Sequence, residues 1–229
     1  MKALFLKNYI NEEFIDIVGD DYHHLVNVLR VKKSENILVL NNSGNKYLSE
    51  IFEIDKKKIK LNIKNRIPEK RTNYISLAIG LTKKEALEEI IKASIELGVV
   101  ELLLLESEYS QKYELSTDRI ERLIKSAIEQ SNNPFGIQVR FIKIGELDTS
   151  SYDISYLLSL KESSKTIIPE SHQQVLLVIG PEGGFSQFEE KEFINRGLNP
   201  ITIKSHILRS KTAIVAGVGL LHGLIMGKS

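Results

Sequence analysis

The chain has 229 residues, 42% of them hydrophobic and 27% charged, with a formal net charge of +1 and no cysteine. That length suits one large or two modest globular domains, and the missing cysteines exclude a disulfide framework or a thiolate metal site. No two of the five histidines stand at a helical metal-ligand spacing around a carboxylate, no stretch offers the roughly 20 apolar residues that span a bilayer, and MKALFLKNYI lacks the apolar core of a signal peptide; a cytoplasmic protein without metal or membrane partner is expected.

Charge divides the chain. Residues 1–71 carry 14 Lys+Arg against 10 Asp+Glu, whereas residues 72–229 carry 17 against 20. In the front third, HHLVNVLRV (23–31) reads as a helical insert with Leu25, Val28 and Leu29 on one face and Arg30 beyond it. His23 and His24 are adjacent, so they diverge. From Ile37 to Ile63 short alternating segments, ILVL, KYLSEIFEI and KIKLNI, are separated by the turn formers Asn41-Asn42-Ser43-Gly44 and the Asp55-Lys56 corner, which predicts a small antiparallel β module. Its basic residues, Lys56, Lys57, Lys58, Lys60, Lys64, Arg66, Lys70 and Arg71, form either a solvated hairpin edge or a surface facing nucleic acid.

After the polar joint at 68–72, strands alternate with longer helical patterns, as in an α/β domain with a largely parallel sheet. The reading is therefore two domains, 1–71 and 72–229. Ile75–Gly80 is an apolar strand. Thr82-Lys83-Lys84-Glu85 reads as a capping box for a helix with Leu87, Ile90, Ile91 and Ile95 on one face, ending at Gly98. Val99–Leu105 is a strand and Asp118–Gln130 a helix. Further strands are expected at Ile137–Ile142, Tyr156–Leu160, Val175–Ile179 and Ile201–Ile203.

The stretch VIGPEGGFSQFEEKEFINRG (178–197) places a glycine-rich turn, Gly180–Gly184, at the carboxyl end of a buried strand, with a second capping box, Ser186-Gln187-Phe188-Glu189, opening the next helix. Ligands of open α/β sheets bind at such strand ends, and glycines let the backbone approach them. The order G-P-E-G-G-F matches neither a phosphate loop nor a dinucleotide fingerprint, and its acid disfavours a triphosphate. A purely structural turn remains open at this point. Farther on, KSHILRSKTAIVAGVGLLHGLIMG leads Ile207-Leu208-Arg209 into a nearly all-apolar helix in which Gly219 and Gly223 lie one turn apart, suited to burial within a subunit or at a dimer interface. His222 within it reads as a satisfied core or interface histidine.

IGPEGGFS followed by ILRSKTA resembles the two signature motifs of the RsmE family, SPOUT-class trefoil-knot methyltransferases that methylate N3 of a uridine in 16S ribosomal RNA with S-adenosylmethionine. HHLVNVLRVKKSENILVL is similar to the family's segment in an N-terminal PUA-like β-barrel, and KKEALEEIIKASIELGV and RLIKSAIEQS are similar to two early helices of its catalytic domain. Where the family usually has a glycine, an arginine and a glutamate around ILR, this chain has Lys204, His206 and Lys211, and Tyr109 and Asn133 stand where arginine is common.

The resemblance implies a SPOUT-type α/β knot domain behind a PUA-like β-barrel, S-adenosyl-L-methionine as cofactor, 16S rRNA of the small ribosomal subunit as partner and a homodimer formed through the knot domain. It implies cofactor contacts from Leu160, Ile179, Gly180, Pro181, Gly183, Gly184, Ile203, Ser205, Ile207, Leu208 and Thr212, and RNA contacts from Arg30, Lys56, Lys57, Lys58 and Gln130. Uracil N3 is a poor nucleophile until its proton leaves, so a cation that stabilises charge on the base is needed, and Arg209 is the candidate. The other role for Arg209 is capping of loop carbonyls. Glu182 would assist proton removal or orient and brace the loop. Two other classes stay open: a catalytically weakened RNA-binding homologue, and another nucleotide-utilising α/β enzyme such as a dehydrogenase.

Overall fold

The computed structural model describes every residue except 8, 9, 11, 112–114, 160–166, 171, 204, 205, 228 and 229. The chain forms two compact units, Met1–Arg71 with Lys125–Gly136, and Thr72–Ile124 with Ile137–Ser229. The sequence division assigns residues 125–136 to the rear domain; packing groups them with the front one.

The front unit is a five-stranded sheet of β1 (Ala3–Phe5), β2 (Phe14–Val18), β3 (Asn36–Leu40), β4 (Asn45–Ile54) and β5 (Lys58–Pro68), in the order β1-β3-β4-β5-β2. Leu4, Ile17, Ile37, Val39, Tyr47, Ile51, Ile59 and Leu61, drawn from all five strands, meet in one core. The period-2 alternation marks β3 to β5. It misses β1 and β2, which are short, and β1 pairs parallel to β3, so the module is mixed rather than wholly antiparallel.

The insert at 23–31 also departs from expectation. Helix α1 (Gly19–His23) runs into a π-helical turn at His24–Val28. The wider winding changes the face: Leu25 is buried, as expected, but Val28 is 65% exposed.

The rear unit is a six-stranded, all-parallel sheet. Its strands are β6 (Tyr74–Gly80), β7 (Glu101–Glu106), β8 (Gln138–Lys143), β9 (Ile154–Leu158), β10 (Gln174–Ile179) and β11 (Asn199–Ile201), ordered β11-β9-β10-β6-β7-β8. Because β10 is covered on both faces, its sequence is a continuous apolar run. Its Leu176 and Val178 face a core that includes Phe193 of α4 (Gln187–Asn195). Leu177 and Ile179 face the opposite way, toward Gly217 of α5 (Ser210–Met226), which itself packs on α2 (Lys84–Glu96). Helix α3 (Thr117–Ser131) follows β7.

Two local readings are corrected. The first turn of α2 carries no Thr82 cap: its N-cap is Lys83, which makes no side-chain cap bond, and the buried Thr82 hydroxyl donates to the Lys83 carbonyl at 3.4 Å. The last strand lies at 199–201 rather than 201–203 and contains Pro200. An edge position tolerates a residue without an N–H.

The second capping box forms as expected. Ser186 Oγ accepts from the Glu189 N–H at 3.3 Å, and Glu189 Oε2 accepts from the Ser186 N–H at 2.9 Å. Glu189 does more than close the helix, because its Oε1 accepts from the Glu108 N–H in the loop after β7 at 2.7 Å. Both carboxylate oxygens of this buried side chain therefore meet backbone donors. Glu189→Ala leaves those donors unsatisfied and is expected to cost about 2–4 kcal/mol, read as a lower urea midpoint at unchanged slope. Glu189→Gln should recover only part of this, since its NH2 must face one of the two N–H groups; full recovery would show that the two-loop tie contributes little.

Candidate functional site

The glycine turn at the end of β10 is shaped by contacts that only glycine permits. A Cβ on Gly180 would lie 3.0 Å from the Gly184 backbone, where the Gly184 N–H donates to the Pro181 carbonyl at 2.8 Å. Gly184 has φ +74°, a left-handed conformation that other residues adopt at a cost. Gly80, the last residue of β6, faces Pro181: a Cβ there would fall 2.3 Å from Pro181 Cδ and 2.6 Å from its backbone nitrogen. The proline that starts the turn is thus seated on a neighbouring strand.

Beside this turn lies a cavity of about 140 Å3, at the carboxyl ends of β9, β10 and β11, the position favoured by ligands of open parallel sheets. Its walls are Leu158 at the end of β9 and Ser159 after it, Ile179, Gly180, Pro181, Glu182 and Gly184, then Ile203, His206, Ile207 and Leu208, and finally Ser210 and Ala213 from the first turn of α5. Seven expected cofactor contacts, Ile179, Gly180, Pro181, Gly184, Ile203, Ile207 and Leu208, are brought together here. Gly183 is outside the lining, with its Cα packed toward Tyr109, whose Cβ a Gly183 Cβ would approach to 3.2 Å. Thr212 is exposed on α5 and also lies outside it. Leu160, Ser205 and the departure at Lys204 fall outside the described residues.

The polar chemistry of the cavity is concentrated at its α5 end. Ser210 Oγ is buried, lines the cavity and has no hydrogen-bond partner among the described residues. A buried hydroxyl without a partner costs free energy that a ligand atom would recover. The first amides of α5 are free of intrahelical partners and add positive helix-end potential. Adjacent Arg209 is exposed and its guanidinium makes no hydrogen bond or ion pair with a described residue, so it caps no described carbonyl. Glu182 likewise is exposed without a described partner. Ser210 was legible as part of ILRSKTA, but nothing in that string distinguishes the buried hydroxyl from its neighbours.

Other flagged residues have structural roles. Lys211 Nζ sits 2.6 Å from Glu89 Oε2 and ties α5 to α2. The Asn133 side chain accepts from the Phe135 N–H at 2.9 Å. His222 Nε2 donates to the Leu97 carbonyl at 2.9 Å, so Nδ1 accepts from the Asn73 amide at 2.8 Å, which fixes the neutral tautomer. In the front unit Arg30 has φ +50° and is exposed. Lys56 and Lys57 project from the β4–β5 turn, which Tyr22 braces by donating to the Asp55 and Lys56 carbonyls at 3.1 and 3.0 Å. Lys58 differs from them: it pairs with Asp16 at 3.0 Å, a hydrogen bond that raises its pKa. Gln130 is exposed on α3. No group of three or more His, Asp or Glu side chains among the described residues is arranged to hold a metal ion, and no described helix is long and apolar enough to cross a membrane.

Comparison with known proteins gives this geometry a context. The RNA methyltransferase domain family matches residues 68–222, and the RNA methyltransferase PUA domain family matches residues 17–64. The chain is 29% identical to ribosomal RNA small subunit methyltransferase E 2 of Borreliella burgdorferi, with 98% of each chain covered. It is 27% identical to ribosomal RNA small subunit methyltransferase E of Aquifex aeolicus, over 85% of this chain and 88% of that one. The crystal structure of a ribosomal RNA small subunit methyltransferase E from Neisseria gonorrhoeae bound to S-adenosyl methionine superposes with a TM-score of 0.85 at 22% identity, covering 98% of both chains. The fold is the SPOUT-type α/β knot architecture with a PUA-like unit in front.

The seat of Pro181 yields a direct test. Gly80→Ala forces backbone against backbone and is expected to cost about 1–3 kcal/mol and displace the glycine turn. Gly145→Ala is the control, since a Cβ there meets nothing within 4 Å. Thermal unfolding of the two variants should separate them, and equal melting temperatures would show that the turn does not depend on this contact.

Proposed function

The chain belongs to the RsmE family of RNA methyltransferases, and from that premise we propose that it transfers a methyl group from S-adenosylmethionine to N3 of a uridine in 16S rRNA of the small ribosomal subunit. The observation that carries this reading is the cavity at the glycine turn, lined by a buried Ser210 hydroxyl that has no hydrogen-bond partner among the described residues, with the exposed Arg209 as its neighbour in sequence.

The donor set fits the cofactor. Ile179, Ile203, Ile207 and Leu208 offer an apolar slot for the adenine, while turn amides and Ser210 Oγ offer polar partners for its edge. When bound, S-adenosylmethionine supplies a methyl group on a sulfonium, already electrophilic. The protein therefore has mainly to align the uracil and raise its nucleophilicity. Glu182, on the cavity wall with a free carboxylate, takes the N3 proton. Arg209 then stabilises the negative charge left on the base, a donor aimed at charge that develops during reaction. Arg30, Lys56, Lys57, Lys58 and Gln130 hold RNA on the front unit, where the Lys+Arg excess lies. Lys58 contributes less than its neighbours because Asp16 already neutralises it.

The same reading makes the protein a cytoplasmic homodimer. Helix α5 leaves Val215, Leu220 and Met226 exposed, and at Gly219 and Gly223 a Cβ would meet nothing, so the backbone is open to a second helix. The occupant is the α5 region of a second copy. Light scattering at micromolar concentration should give twice the chain mass, and Gly219→Leu should shift it toward monomer; a monomeric parent would reject the assignment.

Ser210→Ala is expected to weaken S-adenosylmethionine binding about five- to tenfold by calorimetry, the loss of one hydrogen bond. Arg209→Ala should leave that affinity intact and slow methyl transfer by roughly 10² or more, with little recovery in Arg209→Lys because a planar fork and a point charge are not equivalent. Mass spectrometry of small-subunit rRNA from cells with and without the gene should show one methyluridine missing. A parent that binds no cofactor in calorimetry is instead an RNA-binding homologue.

A further inference from the structure

The outer face of the front sheet carries an aromatic pair that cofactor binding and methyl transfer do not use. Phe14 of β2 and Phe52 of β4 meet edge to face, with ring centroids 5.2 Å apart and planes at 71°. Lys60 of β5 places Nζ 5.6 Å from the centre of the Phe14 ring. The β4–β5 register shifts between Ile51 and Glu53, so Phe52 is the extra residue of a β-bulge. Bulges re-aim side chains, and this one leaves Phe52 46% exposed rather than in the core. Val18, on the same face of β2 as Phe14, is also exposed, and Lys56 and Lys57 follow Phe52 within the same hairpin.

A single exposed phenylalanine needs no explanation. An exposed ring braced by a second ring, with an ammonium beside the pair, presents a π-face for stacking and a positive charge for an adjacent anion. That is the chemistry of a single-stranded nucleic acid, whose bases each offer a π-face and whose backbone is anionic. In the register Lys60 lies between two acids, Asp16 of β2 and Glu53 of β4; Asp16 is taken up by Lys58 at 3.0 Å, and Lys60, Lys56 and Lys57 make no ion pair with a described residue, so the hairpin keeps cations available to an anion.

We infer that the Phe14–Phe52 pair is a stacking platform for an unpaired base of the RNA substrate, with Lys60, Lys56 and Lys57 on the flanking phosphates. This rests on the reading that the substrate is RNA and adds to it a contact that is aromatic rather than electrostatic. Phe52 is the stacking ring. Phe14, less exposed, fixes its orientation.

The chain contains no tryptophan and eight tyrosines, so Phe52→Trp introduces a sole tryptophan at the proposed platform, excited selectively at the red edge where tyrosine does not absorb. Titration of the full-length variant with a single-stranded oligoribonucleotide of roughly a dozen nucleotides should quench it, and the same oligonucleotide made abasic, with its phosphates intact, should not. Phe52→Ala should bind the oligonucleotide about tenfold more weakly, with the parent's salt dependence and the parent's affinity for S-adenosylmethionine. Neutralising Lys56 and Lys57 should instead make the salt dependence shallower. An unquenched tryptophan in a variant that binds the oligonucleotide, or parental affinity in Phe52→Ala, overturns the platform and leaves the methyltransferase reading standing. A parent that binds no RNA overturns both.

Discussion

One carboxylate holds the glycine turn in place. Glu189 reaches back from α4 to the Ser186 N–H and sideways to the Glu108 N–H, so a single buried group ties the loop after β10 to the loop after β7. Each bond is an ordinary charge-assisted contact, but the Ser186 donor belongs to backbone that would otherwise be buried without a partner. With the helix start fixed, the preceding residues 180–185 must turn within a short span, which the φ of Gly184 and the seat of Pro181 on Gly80 allow. The cavity wall is therefore held by one acid and one glycine that do not line it, Glu189 and Gly80, together with Gly184, which does.

The cavity is apolar on most sides and polar at the α5 end, and that asymmetry carries its chemistry. Ser210 Oγ and the helix amides give direction, Glu182 lines the wall, and the exposed Arg209 precedes Ser210 in sequence, neither charged group being paired with a described residue. A free cation and a free carboxylate beside a neutral slot suit a reaction that moves one proton and creates one transient negative charge. The departures from the family pattern sort by position. Lys211 has exchanged a family glutamate for a cation that pairs with Glu89, so it acts between helices, and Tyr109 packs against the outside of the glycine turn. His206 alone among the described departures lines the cavity, where an imidazole replaces the usual arginine.

Local rules made much of this protein legible in its amino acids. The alternation of 37–63 marked three strands, the apolar run of 175–179 marked a buried strand, and Ser186-x-x-Glu189 marked the α4 cap, because each depends only on residues adjacent along the chain. The motif strings likewise indicated most of the cavity wall. Where local signals were weak they failed: β1 has three residues and cannot display a period, Thr82 mimicked a cap one residue too early, and a π-turn rotated Val28 out of the face that a 3.6-residue period assigns it. Three-dimensional pairing decided the rest. That Gly80 accommodates Pro181, that Glu189 serves a second loop 81 residues away, that Ser210 is left without a partner and that a bulge turns Phe52 outward are all contacts between distant segments or consequences of strand register. A sequence specifies which residues carry donors, charges and rings, but which of them remain unsatisfied or exposed depends on what the folded chain brings beside them.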